Sequence, residues 1–228
     1  HAVALKSSMW MLDPRPSLPS IVRMVEKGFE FSEASNTPVI VDLRIRACHV
    51  QGQFPARANR AAAMSTRHRG APAGFDYERL SHPPATFRQE KHKAEVRLPA
   101  ARRFIAEQKL NETFDGNLRG IGLIVQGGLY NNLLRALQTL GLADPFGVSR
   151  VPILALNVVY PLLPEEIVAF CADKRAVLVL EEGRPEFIEQ DIATTLRRHD
   201  VQAKLHGKDL LQMTGEYTAE LMVQGLQK

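Results

Sequence analysis

The sequence predicts an α/β fold, a three-layer arrangement in which helices cover both faces of a parallel sheet. Two observations carry this reading. Short uninterrupted apolar runs, GIGLIVQGG (120–128), VPILALNVVY (151–160) and RAVLVLEEG (175–183), recur in the second half. Strands apolar on both sides belong in a sheet buried on both faces. Between the runs stand stretches with apolar residues at helical spacing.

Residues 1–53 also read as α/β. A helix-like segment starts almost at once, and the first residue is His1 rather than Met, so we expect a piece of a longer protein. Pro19 suits the first turn of a helix, with Ser17 or Leu18 at its edge. Ile21, Val22, Val25 and Phe29 fall on one face of that helix, which should fade near Asn36 and Thr37. Pro38 then opens a strand, PVIVDLRIR (38–46), whose second half alternates Leu43 and Ile45 with Arg44 and Arg46, as a strand leaving the core would.

Residues 54–112 break the pattern. Pro55, Gly70, Pro72, Gly74, Pro83, Pro84 and Pro99 punctuate a basic segment that reads as a linker lying across a surface. A short helix is expected at 100–110. From residue 113 onward a second domain follows. Leu129, Leu133, Leu137 and Leu140 form a helical stripe that stops at Gly141, a residue suited to the position after a helix end. Pro161 and Pro164 end the second apolar run, and Glu165 and Glu166 suit the first turn of the next helix. Ile188, Ile192 and Leu196 form a further stripe, QAKLHGK (202–208) a fourth and weaker strand, and 218–226 a last helix.

Composition narrows the class. With 228 residues and 45% hydrophobic content the chain can bury a sizeable core, and 24% charged residues is ordinary for a globular protein. Cys48 and Cys171 match no metal or cluster spacing and suggest no disulfide framework, which favours a reducing, cytoplasmic setting. No apolar run approaches the length of a membrane span, and no signal peptide is visible. The net charge of +4 is uneven. Arg57 to Arg103 holds eleven Lys/Arg against four Asp/Glu, while the rest holds eighteen against twenty-one. Such a basic middle needs a partner or an acidic surface of its own protein.

The candidate sites follow. Glu181 and Glu182 stand at the carboxyl end of a strand, where parallel sheets gather binding groups. Adjacent strand residues point to opposite faces, so the pair is poorly placed to share a proton or a metal. One of the two should fix a loop or face a partner domain. Glu186, Glu189 and Asp191 read as first-turn helix acids. Gly127 and Gly128 make a tight strand-to-helix turn, and the helix start after them is a candidate anion site. With Gly120 and Gly122 they match a dinucleotide fingerprint only loosely, because no acidic residue follows where a ribose would need one. Arg46 and His49 could meet an anion at a strand end or line a domain edge, and Cys48 beside His49 diverges from it on an extended segment. His206 and the triplet His68, His82 and His92 read as solvated. The basic segment with Phe75, Tyr77 and Phe87 could stack on nucleic-acid bases, but no recognition module is evident.

An ordered set of segments resembles a known family. PVIVDLRIRACHVQG (38–52), GLIVQGGLYNNLLRALQTLG (122–141), LALNVVYPLLPEEIVAFC (154–171), AVLVLEEGRPEFIEQDI (176–192) and HGKDLLQMTGE (206–216) are similar to the α (large) subunit of indolepyruvate ferredoxin oxidoreductase, a thiamine-diphosphate-dependent 2-oxoacid:ferredoxin oxidoreductase. The resemblance implies that 1–53 is the tail of a pyrimidine-binding thiamine module and that 113–228 resembles the C-terminal domain of transketolase, used in assembly. It implies a full enzyme that decarboxylates an aryl 2-oxoacid, reduces ferredoxin through iron–sulfur clusters and loads coenzyme A. Thiamine diphosphate and Mg²⁺ are implied as well, with a partner subunit and an oligomeric assembly.

The chain departs from that pattern at the chemistry. The Glu that activates thiamine would lie upstream of His1. The one GD-like stretch, FDGNL (114–118), precedes a strand instead of following one, and two cysteines cannot hold a cluster. No catalytic, cofactor or metal residue is therefore assigned, and this segment is expected to be inactive alone. The alternative is a free-standing α/β ligand- or protein-binding module.

Overall fold

The computed structural model describes residues 1–58, 77 and 82–228. The fold class matches the expectation, an α/β chain with parallel sheets. The five-stranded sheet runs β3 (Glu112–Phe114), β5 (Ile153–Leu156), β4 (Ile121–Gln126), β7 (Ala176–Leu180), β8 (Lys204–His206) in spatial order. Four strands are parallel, and the edge strand β3, which no sequence signal marked, is antiparallel to β5.

Alternation along the strands sorts the two helix layers. Leu123, Val125, Ile153, Ala155, Leu178 and Leu180 point to α6 (Tyr130–Thr139) and α9 (Ala219–Leu226). Ile124, Leu154, Leu156, Val177 and Val179 point to α7 (Pro164–Cys171) and α8 (Phe187–Arg198). Of the anticipated stripes, Leu129, Leu133, Leu137, Ile188, Ile192 and Leu196 are buried, while Leu140, just past the end of α6, is half-buried. Gly141 adopts φ +68° just past α6, as expected of that position.

The N-terminal region forms a second sheet, and it does so with help. After α1 (Ala2–Ser7), β1 (Trp10–Leu12) pairs parallel with β2 (Val39–Val41) and antiparallel with β6 (Val158–Tyr160). The apolar run 151–160, read as one strand, is thus two strands in two sheets. The break is Asn157, fully buried. Its amide donates to the Leu110 carbonyl at 2.9 Å and to Glu112 at 3.0 Å, and its oxygen accepts from the Arg15 N–H at 2.8 Å. These bonds turn the chain from one ladder into the other.

Two further expectations are corrected. The strand 38–46 stops at Val41. The Asp42 N–H makes the last bond of the ladder to Leu12, and Ile45–Cys48 forms a short helix, α3. The helix α2 (Leu18–Ser35), capped by Ser17 and closed at Asn36, buries a different face from the one expected. Met24, Gly28, Phe31 and Ser35 face the sheet, while Val25 and Phe29 are exposed. Trp10 selects this face: its indole N–H donates to Ser35 at 2.7 Å, and its ring stacks on Phe31. Gly28 faces Leu12 and Val41 of the sheet.

Within 54–112, the expected short helix is the end of a longer one. α4 (Ala85–His92), a π turn (Lys93–Arg97) and α5 (Leu98–Gln108) run on continuously. α5 packs on α2 through a Phe31–Phe104 stack at 5.3 Å. Of the basic segment, residues 59–76 and 78–81, with His68 and Phe75, lie outside the described residues, while Arg88, Lys91, Lys93, Arg97, Arg102 and Arg103 lie on these helices. No helix among the described residues is long and apolar enough to cross a membrane.

Candidate functional site

In the five-stranded sheet the chain leaves β4 toward α6 on one face and leaves the adjacent β7 toward α8 on the other. The crevice beyond the carboxyl ends of such a strand pair is where open α/β sheets bind ligands. Gly127 and Gly128 stand at one lip and Glu181 and Glu182 at the other, so four of the six residues singled out in the sequence meet at this switch point.

What fills the crevice is the N-terminal region. Arg44, two residues beyond the ladder of β2, donates to Asp13 at 2.8 Å, to Glu182 at 2.6 Å and to the side chain of Gln126 at 3.0 Å. Asp13 is 1% exposed and also accepts from the Gly128 N–H at 3.1 Å. Burial pushes the Asp13 carboxyl above its ordinary range although Arg44 acts to lower it. Burial also works against the Arg44 charge, but Asp13 and Glu182 outweigh it and hold that group above its usual value. Gln126 is satisfied from both sides, since its oxygen also accepts from the Glu182 N–H at 2.9 Å. The glycines are required by this docking. A Cβ at Gly127 would collide with the Asp13 carbonyl, and one at Gly128 with the side chains of Asp13 and Arg44.

The two glutamates diverge as the strand geometry demands. Glu181, 2% exposed, caps α8 by accepting from the Ile188 and Glu189 N–H groups at 3.0 Å. Burial raises its pKa, and those backbone donors counteract part of the rise. Glu182 turns to Arg44 and to the Tyr217 N–H at 2.7 Å. Arg46 completes the rim, paired with Glu216 and donating to the Tyr217 carbonyl. His49 stays exposed at the end of α3 and joins none of this. Lys208 closes the back, donating to the Glu181 carbonyl and to the Tyr217 hydroxyl. A cleft of about 390 Å³ remains beside Arg44, Arg46, Gln126 and Glu216.

Asp13, Arg44, Gln126, Tyr217 and Asn157 were missed in the sequence. Asp13 precedes a proline and Gln126 ends an apolar run, which are weak signals. Arg44 was marked only as the polar half of an alternating strand.

A second polar junction lies alongside. Arg15 clamps Glu112 through two bonds of 2.9 Å, and its guanidinium stands over the rings of Phe114 and Tyr130. Burial works to raise the Glu112 pKa, but the bonds from Arg15 and Asn157 prevail and hold it below the ordinary value of 4.5. A carboxylate depressed in the folded state stabilises the fold above its unfolded pKa and ceases to do so as pH falls through the folded one. The stability advantage of the wild type over Glu112→Gln should therefore be full above pH 4.5 and fade below it. Urea melts of both proteins between pH 3 and 7 read this, and a difference independent of pH would reject it.

No protein-family model matches the chain. Individual relatives do. Indolepyruvate oxidoreductase subunit IorA of Methanothermobacter marburgensis is 27% identical over 201 residues, which is 87% of this chain and 30% of IorA. IorA of Methanothermobacter thermautotrophicus is 28% identical over 198 residues, and IorA of Pyrococcus abyssi 25% over 239. The chain is similar to IorA over most of its own length. It spans about a third of the length of those IorA subunits. Among solved structures, 2-oxoglutarate:ferredoxin oxidoreductase from Magnetococcus marinus, with 2-oxoglutarate, coenzyme A and succinyl-CoA bound, matches with a TM-score of 0.55. It does so over 96% of this chain and 42% of that one at 16% identity, which shows a shared fold.

The residues present do not fit the cofactors that the IorA resemblance implies. Cys48 is exposed and Cys171 buried in a different element, with its thiol pushed up to about 11 by burial, so the two cannot ligate one iron–sulfur cluster. The Gly128 amide, the donor a diphosphate would use, is taken by the Asp13 carboxylate. Gly116 of FDGNL is packed against the backbone of Arg150 and Pro152 and leads from β3 into β4, so it opens no helix that could hold a diphosphate. Among the described residues no group of three His, Cys, Asp or Glu is placed to hold a metal.

Proposed function

We propose that this chain is the docking portion of the large subunit of an indolepyruvate-type 2-oxoacid:ferredoxin oxidoreductase. In the whole enzyme, an aryl 2-oxoacid is oxidatively decarboxylated, its acyl group passes to coenzyme A and the electrons go to ferredoxin. Thiamine diphosphate, Mg²⁺ and the iron–sulfur clusters are held by polypeptide other than these residues, in a cytoplasmic assembly with a partner subunit. Residues 1–53 are the end of the pyrimidine-binding module, 54–112 the connecting segment, and 113–228 the assembly domain.

The observation that carries this reading is the polar bridge across the switch point. The crevice where a nucleotide-binding α/β sheet would hold its ligand is occupied by Asp13 and Arg44 of the preceding region, bound to Gly128, Gln126 and Glu182. A crevice bridged in this way fastens the N-terminal region to the large sheet and leaves open only the cleft beside Arg46 and Glu216. The similarity to IorA along most of the chain supports the same reading.

Titration calorimetry tests it. The isolated chain should bind no thiamine diphosphate in the presence of Mg²⁺. Co-expressed with the rest of its large subunit and the partner subunit, it should support indolepyruvate-dependent reduction of ferredoxin. Stoichiometric cofactor binding by the chain alone, or no 2-oxoacid oxidation by the assembly, rejects the proposal.

A further inference from the structure

A cleft of about 540 Å³ lies between the start of β1 and the continuous helix of α4, the π turn and α5. Trp10, the first residue of β1, lines it, whereas Asp13 follows the other end of that strand. The cleft and the polar crevice therefore sit at opposite ends of β1. Its volume suits one small molecule.

The lining combines apolar surface with unpaired positive charge. Trp10, Tyr160 and Leu98 supply the apolar part, with the Trp10 and Tyr160 rings 5.8 Å apart. Ser8 closes α1 at φ 51°, and its hydroxyl is bonded to that of Tyr160. Lys6 enters from the last turn of α1 and Lys93 from the π turn. Neither lysine side chain has an ion-pair or hydrogen-bond partner among the described residues. Among those residues Glu90 is the one carboxylate in the lining, which leaves the cleft with a surplus of positive charge.

Pro99 shapes the helical wall. It has no N–H to give to the Glu95 carbonyl, and in a regular helix its ring would strike that carbonyl. The chain widens into the π turn at Lys93–Arg97 instead. At ordinary helical spacing Lys93 and Leu98 would stand about 140° apart. The additional residue in the widened turn lets both line the cleft. Turns of this kind recur at functional sites.

We propose that this cleft binds a small carboxylate with a flat apolar body, its charge held by Lys6 and Lys93 and its body laid on Trp10, Tyr160 and Leu98. Two unpaired cations in one cleft repel each other, and a bound anion turns that repulsion into attraction. A bare, strongly hydrated anion gains less, because the apolar lining repays none of its lost water. An aromatic body adds the burial of its own surface and ring contacts with Trp10 and Tyr160. Nothing in this depends on the functional reading above.

Trp10 is the only tryptophan of the chain, so its fluorescence reports on the cleft directly. Phenylacetate titrated into the chain at low ionic strength should change that emission saturably, with one site by calorimetry. Inorganic phosphate and phenethylamine should bind at least about tenfold more weakly, the first for want of an apolar body and the second for want of negative charge. Lys6→Gln and Lys93→Gln should each weaken phenylacetate about tenfold with circular dichroism unchanged. Lys204→Gln, at an exposed position on the five-stranded sheet, should leave the affinity as it is. No saturable response up to about 10 mM phenylacetate overturns the inference. Phosphate or phenethylamine binding as tightly as phenylacetate overturns it, as does undiminished affinity in both lysine variants. Binding by the chain alone that vanishes in the assembly with the rest of the large subunit, where other polypeptide then fills the cleft, overturns it too and leaves the functional reading standing.

Discussion

Arg44→Met is expected to lower stability by about 3–5 kcal/mol, the largest effect of any single change in the polar crevice. Asp13 is 1% exposed and its charge is balanced by Arg44. Removing the guanidinium leaves a buried carboxylate facing Glu182 and a Gln126 oxygen with one donor fewer. The carboxylate then protonates, so the variant should lose less at pH 5 than at pH 8, because burial already holds the Asp13 pKa high. The double variant Asp13→Asn/Arg44→Met should recover part of the loss, since replacing both partners of a buried pair costs less than orphaning one. Denaturant melts of the four proteins give the coupling energy. A loss under about 1 kcal/mol for Arg44→Met would mean that the pair does not hold the two regions together.

Gly127→Ala is expected to cost about 3 kcal/mol and to loosen the N-terminal region from the large sheet. A Cβ there runs into the Asp13 backbone carbonyl and stands 2.9 Å from the Asn157 side-chain oxygen and 3.0 Å from the Arg15 nitrogen. Backbone atoms cannot yield as the tip of a flexible side chain can, so residues 13–15 must move. The expected sign is faster exchange at the Asp13 and Arg15 amides, which bond to Asn157, with the core of β4 and β7 unchanged. Gly141→Ala offers the contrast. Its φ is +68° with open space around it, so its cost comes from backbone strain alone and leaves the docking intact. Equal loosening by both variants would sink the steric account.

Local pattern made much of the large sheet readable. Runs such as Val177–Leu180 are apolar on both sides, and only a sheet covered twice can bury them. The stripes of α6 and α8 state which faces turn inward, and Ser17, Gly141 and Thr218 mark helix ends through chemistry confined to a few neighbouring residues. The same locality explains the errors. In α2 the run Ile21, Val22, Val25, Phe29 outscored Met24, Gly28, Phe31, Ser35 on hydrophobicity alone. The choice of face came from the Trp10 indole seeking the Ser35 hydroxyl and from the stacking of Phe31 on Trp10 and Phe104.

The site divides along the same line. Gly127, Gly128, Glu181 and Glu182 were visible because they sit at the ends of legible strands. Asp13 and Arg44, 31 residues apart, had no visible relation to each other or to those ends. Chain order and hydrophobic period are enough to specify a doubly covered sheet, because each strand and helix declares its buried side from its own residues. Which polar groups fill the crevice of that sheet depends on residues more than a hundred positions apart meeting in a dry space. There charge and hydrogen-bonding capacity must balance across the whole cluster, and no short stretch of sequence carries that sum.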